Sequence, residues 1–494
     1  MISSFGTGRR IENSIFWTSA GLSLSCALIG IWMEQYWMAG LPIIPLALYQ
    51  FLVKPSFYFW TLLALLPLSV EFYIGSLGTD LPTEPLMLLL SVYFIIHSLY
   101  YWRSYTADFF RHPVSLILMA HLSWIIFSSL FSEGPLVSLK FCLAKLWYVI
   151  PFFFLAGRFL TDRKRVRMMV WLIFIPLLFV AVQTLVRHAS FGFSFADQFR
   201  TMSPFMRNHV NYAAMLAAFA PWLGFLIWRQ PHKRWLWAAA VIWLIAVYFS
   251  YTRAAYVSLI LVGGAWWIIR QGWIKPILLL GLASMIGGSI YLIRNNKYLD
   301  YAPNFETTIA HDRFDNLISA TYKLEDISTM ERAYRWVAAG HMVPYHPWVG
   351  WGPGNFVFFY EGHTVRSFET YVSDNPERSG IHNYFLMTLV EQGFPGLLLL
   401  FILLLGPLFY GQRIYLRKYK KYGKQANEQQ REELAILMAA MLSLVVIDAF
   451  LIINDLLETD KIGSLFFLNL AIIVNFSLPL KNSFSTTASQ ESDS

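Results

Sequence analysis

Four short segments of this chain carry side chains able to hold charge or move a proton, and each adjoins a long apolar run. Met206-Arg207-Asn208-His209-Val210-Asn211-Tyr212 opens one such run with a cation, two amides and an imidazole. It reads either as a helix N-terminal cap with interfacial side chains or as the lining of a site for a polar ligand. Ser250-Tyr251-Thr252-Arg253-Ala254-Ala255-Tyr256 puts an arginine in a tight turn between two apolar runs. A guanidinium so close to hydrocarbon is costly unless it snorkels or pairs. No Asp or Glu occurs from Arg234 to Arg294, so the sequence offers no local partner, and an external anion such as phosphate suits the planar fork.

The third segment combines a helix with a glycine turn. Ser328-x-x-Glu331 reads as a capping box, and Arg332, Arg335, Trp336 and Ala339 then share one helical face. Pro347-Trp348-Val349-Gly350-Trp351-Gly352-Pro353-Gly354-Asn355-Phe356 follows, with three glycines at alternate positions. That spacing suits left-handed backbone or the close approach of a ligand, while two arginines on a helix also fit a solvated face. The fourth segment runs from His382-Asn383-Tyr384 to Glu391-Gln392-Gly393-Phe394-Pro395-Gly396. Pro395 removes a helical hydrogen bond, so a kink is expected there. Glu391 inside a span is functional by default, or else the structural partner of an arginine; His382 is a working imidazole or merely an interfacial one.

These segments need a membrane scaffold to position them. Charged residues make up 14% of the 494 positions, well below the roughly 25% of soluble domains. Apolar runs long enough for a hydrocarbon core lie near 14–33, 36–53, 57–75, 85–101, 114–131, 137–157, 166–186, 209–228, 235–250, 254–270, 273–293, 383–410, 433–453 and 461–478. The expectation is an all-α polytopic membrane protein of about fourteen spans: helices 1–11 over 1–293, a large extracytoplasmic loop over 294–382, helices 12–14 over 383–481, and a disordered cytoplasmic tail over 482–494. The run after Arg9 and Arg10 is too long for a signal peptide's core and reads as a retained first helix.

With both termini in the cytoplasm, 23 of the 38 Lys and Arg fall in inner loops, as the positive-inside rule requires. The basic balance therefore serves orientation, and no nucleic-acid partner is expected. Cys26 and Cys142 sit in apolar runs and suggest neither a disulfide nor a metal site. No metal or nucleotide motif of the common kinds is present; Glu458-Thr459-Asp460 is a weak Glu-x-Asp in the last outer loop. No cofactor is expected.

Taken in order, the four segments resemble the O-antigen ligase/polymerase superfamily of bacterial membrane glycosyltransferases. The resemblance is carried by Arg332-Ala333-Tyr334-Arg335-Trp336, the turn from His346 to Phe356, His382-Asn383-Tyr384 and Glu391-Gln392-Gly393-Phe394-Pro395-Gly396, with looser counterparts in Arg207-Asn208-His209 and Tyr251-Thr252-Arg253-Ala254. It spans about residues 200–410. The resemblance implies a GT-C-like fold in the bacterial cytoplasmic membrane and a donor glycan on undecaprenyl diphosphate at the outer leaflet. It also implies attack by an acceptor hydroxyl on the anomeric carbon without a metal ion. Arg253 and Arg332 would stabilise the diphosphate leaving group, with Arg207 next and Arg335 ranked below Arg332. His382 would be the base. Asn208, His209, Asn383 and Glu391 complete the implied substrate-binding set. The implied partners are the lipid-linked donor, a glycan or lipid acceptor, membrane lipids and other proteins of surface-polysaccharide assembly.

Polymerisation of repeat units and ligation of finished glycan share these motifs; fourteen spans lean to the polymerase. The rival class is a lipid-linked sugar flippase, for which charge deep within several spans is expected. The sequence instead concentrates polar residues at the ends of the spans.

Overall fold

In a computed structural model the described residues are 54–478, apart from 75–76, 102–106, 304–307, 309–322, 372 and 376–377, together with Trp17, Thr18, Gly21 and Ser25. The runs expected at 14–33 and 36–53 lie outside the described residues except at those four positions, as does the expected tail over 482–494. Among the described residues nine helices are long and apolar enough to cross a bilayer. Only helices or closed barrels satisfy every backbone group in hydrocarbon, so the chain is a multi-pass helical membrane protein.

The helices are α1 (Pro55–Leu65), α2 (Thr83–Tyr100), α3 (Pro113–Ser129), α4 (Pro135–Phe159), α5 (Arg163–Ser190), α6 (His209–Arg229), α7 (Arg234–Tyr248), α8 (Arg253–Gln271) and α9 (Ile274–Ile293). After the long loop come α10 (Ile327–Met342), α11 (Tyr384–Tyr422), α12 (Glu428–Leu451) and α13 (Asp460–Ser477). α12 is the axis of the packing, in contact with α6, α8, α11 and α13. Small polar groups join it to its neighbours: Ser443 donates to Ala218 O (2.7 Å), Asn469 donates to Ser443 Oγ (2.8 Å), and Trp222 Nε1 reaches Asn469 Oδ1 (3.2 Å). Such bonds are the ordinary glue between helices in lipid.

One expected run is corrected. The apolar stretch drawn to residue 75 leaves the helix at Leu68 and becomes a strand, β1 (Val70–Ile74), paired antiparallel with β2 (Leu77–Leu81). Val, Phe, Tyr and Ile in succession favour strand once the chain leaves the helix. The fold therefore carries a small hairpin on an otherwise helical frame.

The kink expected at Pro395 is a true interruption. Gly393 takes φ 70° and ψ −175° inside α11, and the carbonyls freed there find partners elsewhere. Pro395 cannot donate to Glu391 O, which accepts from Gly352 N (2.9 Å) instead. Val390 O accepts from Trp351 N (2.9 Å), Gln392 O from Trp124 Nε1 (2.9 Å), and Phe394 N donates to Pro347 O (2.9 Å). The Glu391 carboxylate adds two bonds to the same turn, accepting from Gly354 N (2.8 Å) and Phe356 N (3.1 Å). The 347–356 turn thus plugs the broken helix.

The turn's glycines allow this. Gly350, Gly352 and Gly354 have φ of 72°, 98° and 80°, and a Cβ on Gly350 would meet the Glu391 carbonyl carbon at 2.2 Å. The close approach read from the sequence is that of the chain to itself. From the other side, Asn355 Nδ2 donates to Ser132 Oγ (2.7 Å) and Ser138 Oγ (2.9 Å) at the start of α4.

Gly350→Ala and Gly393→Ala each combine left-handed backbone with a backbone clash, and are expected to cost at least about 2 kcal/mol. Gly340→Ala, on an open helical face with nothing within 4 Å, is expected to be neutral or to stabilise by up to about 1 kcal/mol. Thermal unfolding of the three variants in one detergent checks the order.

Candidate functional site

Arg253, Arg332, Arg335 and His382 come together where the long loop meets the ends of α6, α8, α11 and α12. Arg253 is the first residue of α8, directly after its N-cap Thr252. The partner missing from its sequence neighbourhood comes from 73 residues away: Arg253 Nη2 lies 3.1 Å from Asp326 Oδ2. Asp326 is also the N-cap of α10, accepting from Thr329 N (3.2 Å) and Thr329 Oγ1 (2.5 Å). The cap expected at Ser328 is therefore two residues earlier, and Glu331 is free for other work. Asp immediately before an Ile-Ser-Thr start is an acceptable N-cap signal, but the Ser-x-x-Glu pattern masks it.

α10 carries Arg332 and Arg335 to different fates. Arg335 is buried, facing Glu331 (3.4 Å), Asn375 Oδ1 (3.4 Å) and Gly380 O (3.5 Å). Trp336 Nε1 donates to Ile381 O (3.0 Å). These two side chains grip the segment just before His382, so Arg335 positions the loop instead of lying open to a ligand. Arg332 is half-buried, and its Nε is buried with no hydrogen-bond partner among the described residues. Burial and the neighbouring Arg253 both hold its pKa below the ordinary arginine range, with Asp326 opposing them. The like charges of Arg253 and Arg335 beside it leave a concentrated positive field.

His382 has φ 55°, a backbone region sparsely used by residues with a side chain. Its ring is 31% exposed, and Nδ1 lies 3.8 Å from Asp455 Oδ1. Burial pushes the imidazole below the usual histidine range; Asp455 pulls it back up, while Arg332 and Arg335 push it further down. At neutral pH the ring is thus neutral and able to accept a proton, with a carboxylate at hand for the cation that results. Asp455 was not foreseen, because Asn454-Asp455 reads as no more than a turn.

The other expected residues divide. His209 opens α6 within electrostatic reach of Arg332, and its Nδ1 is buried without a partner among the described residues. Asn208 and Asn383 are the N-caps of α6 and α11, accepting from Asn211 N and Leu386 N at 2.9 Å each. The capping alternative read for the 206–212 segment therefore describes Asn208, and Asn383 plays the same part at α11, which the sequence reading does not anticipate. Glu391 turns both oxygens to the 347–356 turn and pairs with no arginine among the described residues, so the bonds it makes here are structural ones. Arg207 is set apart, with 71% of its side chain exposed and Glu71 of β1 4.0 Å away.

The sequence reading also passed over Lys145. It lies buried within α4, 2.6 Å from Glu458 Oε1 and 3.2 Å from the Tyr384 hydroxyl, which itself donates to Glu458. Its signal was available, since an ionisable residue inside an apolar run calls for a partner. The same pairing commits Glu458 of the Glu-x-Asp segment to a lysine. Among the described residues no three His, Cys, Asp or Glu gather as metal ligands.

Asp326→Ala removes an N-cap and the Arg253 contact together, and is expected to destabilise α10 by about 2 kcal/mol. Hydrogen exchange over 327–342 is expected to accelerate while the spanning helices keep their protection; unchanged exchange would refute the cap's importance.

No curated protein sequence matches the chain. Residues 238–401 match the family model described as O-antigen ligase. That region runs from within α7 through the arginine cluster, the glycine turn and His382 into α11. Over that region the chain is similar to the O-antigen ligase/polymerase superfamily, which supports a membrane enzyme of surface-glycan assembly.

Proposed function

We propose that the chain is a metal-independent glycosyltransferase that takes glycan from undecaprenyl diphosphate at the outer leaflet and polymerises repeat units of a surface polysaccharide. The observation that carries this reading is the meeting of three arginines, of which Arg332 has no hydrogen bond or ion pair among the described residues, with a carboxylate-backed histidine at one end of the bundle. In the proposed step an acceptor hydroxyl attacks the anomeric carbon of the donor sugar and passes its proton to His382. The bond from that carbon to the diphosphate oxygen breaks, and the lipid diphosphate departs with its electron pair. Arg332 and Arg253 meet the charge that grows on the leaving oxygens. Preorganised cations are worth most where charge develops in a site screened from water. Asp455 steadies the imidazolium formed at His382, and Arg335 with Trp336 fixes the segment that carries it. The orientation this requires is the one set by the basic loops, with 294–382 extracytoplasmic.

The reading predicts glycan changes that separate its two forms. Cells lacking the protein are expected to accumulate single repeat units on the lipid, and rescue restores polymer. Long polymers stranded on the lipid would instead mean transfer of finished glycan to an acceptor, and an unchanged chain-length profile would refute both. At equal protein abundance His382→Ala is expected to lower polymer formation by about 100-fold or more, and Arg332→Ala by a similar factor. Lysine at 332 restores little, because a point charge does not replace the guanidinium fork.

The pH profile gives an independent check. His382 acts as base only when neutral, so activity is expected to fall as pH drops through its pKa. Asp455→Asn removes the one neighbour that raises that pKa and should move the acid limb to lower pH, with kcat also reduced. Arg332→Gln should move the limb to higher pH. Shifts in the opposite senses would exclude His382 as the titrating base.

A further inference from the structure

A cavity of about 490 Å³ opens between the β1–β2 hairpin, the 203–207 segment and the 458–461 turn. Its size falls within the roughly 300–1,000 Å³ of small-ligand sites. Its charge is opposite to that of the cluster. Glu71, Asp80 and Glu84 line one wall and Glu458 and Asp460 another; Arg207 faces Glu71 (4.0 Å), Lys145 holds Glu458 (2.6 Å) and Lys461 is a third cation, so the five acids keep a net negative balance. Lys461 is already engaged by the Ser69 carbonyl (3.1 Å) and the Phe205 carbonyl. The Asp80 carboxylate lines the cavity with no hydrogen bond or ion pair among the described residues. Tyr73 and Tyr148 add aromatic surface to the same walls.

Two covalent links tie this cavity to the proposed reaction centre. Asp455, which faces His382, is one turn of 3-10 helix from Glu458 on the cavity wall. Arg207 at the cavity is two residues from His209, which lies within reach of Arg332. The acidic walls repel a diphosphate, so the donor's head group is directed to the arginines. Carboxylates accept hydrogen bonds from sugar hydroxyls, and tyrosine rings cover a sugar's C–H face.

We infer that this cavity is the acceptor subsite, taking an uncharged, hydroxyl-rich sugar unit of the glycan whose free hydroxyl is then presented to His382. The inference rests on the glycosyl-transfer reading above. It makes the β1–β2 hairpin, which lies outside residues 238–401, a determinant of which glycan is extended.

The test uses oligosaccharide released by mild acid from the lipid-linked glycan of cells lacking the protein, so that the probe carries sugar without diphosphate. Binding to the full-length protein in nanodiscs is followed by saturation-transfer NMR. The shape-preserving pair Glu71→Gln/Asp80→Asn is expected to weaken binding at least fivefold, and Thr79→Trp, which fills the cavity, to abolish it. Arg332→Ala should leave it within twofold of the wild type, and undecaprenyl diphosphate should not compete. Size-exclusion profiles matching the wild type confirm that each variant is folded. Binding that survives both cavity variants, that is lost with Arg332→Ala, or that is absent from the wild type would overturn the inference. If the wild-type protein still builds polymer in cells in any of those cases, the acceptor subsite alone fails. If deletion leaves glycan chain length unchanged, the transfer reading itself fails.

Discussion

A carbonyl without a hydrogen bond inside a membrane helix costs several kcal/mol, and α11 frees three of them in succession at Val390, Glu391 and Gln392. Much of the loop-bearing end of the molecule is arranged around that debt. Two of the three carbonyls are taken by amides of the 347–356 turn and the third by the Trp124 indole on α3. Glu391 returns the favour by accepting two more amides of the same turn. The loop is consequently fastened to the helix by main-chain geometry, which no side-chain rotamer can loosen. His382 and Asn383 precede α11 directly, so the interruption sets where the histidine stands relative to α10 and the arginines.

The spans were legible because hydrophobic length is a local property, and every expected run from residue 85 onward falls on a helix. The hairpin was missed for the converse reason: Val70–Ile74 is as apolar as a helix end, and only its pairing with Leu77–Leu81 distinguishes it. Of the candidate site, the cations and His382 could be found by type and neighbourhood. Their carboxylates could not. Asp326 is 73 positions from Arg253, Asp455 is 73 from His382, and Glu458 is 313 from Lys145. Pairing over such separations is fixed by topology, and one sequence carries no trace of it. Glu391 shows the same limit from the other side: an intramembrane acid calls for a partner, but nothing local says that the backbone amides of Gly354 and Phe356 supply it.

Charge at this end of the molecule is sorted by what each group is already bonded to. Arg335 engages Glu331, Asn375 and the 380 carbonyl through both Nη atoms, leaving only its Nε unpaired among the described residues, and Lys145 is taken by Glu458 and Tyr384. Arg332 keeps a buried Nε without a partner among the described residues. Burying a guanidinium in that state is unfavourable in the empty protein. An anion that supplied the missing acceptor would recover that cost on binding, and would recover more as its charge grew. On the proposed glycosyl-transfer reading, this is the arrangement that would stabilise a departing diphosphate more than a resting one.

Asp326 then acquires a double meaning. One carboxylate caps α10 through Thr329 and holds Arg253 at the mouth of α8, so it spans the loop and the membrane bundle. Any anion arriving at Arg253 competes with Asp326 for the same guanidinium, and the carboxylate's remaining bonds to Thr329 keep it from following. Repulsion between the arriving anion and Asp326 is therefore set against attraction to Arg253 and Arg332 together. A singly charged ligand gains little from that balance, whereas a diphosphate can engage both arginines while Asp326 stays with α10. Selectivity for a multiply charged group follows from one aspartate serving as both cap and counter-ion.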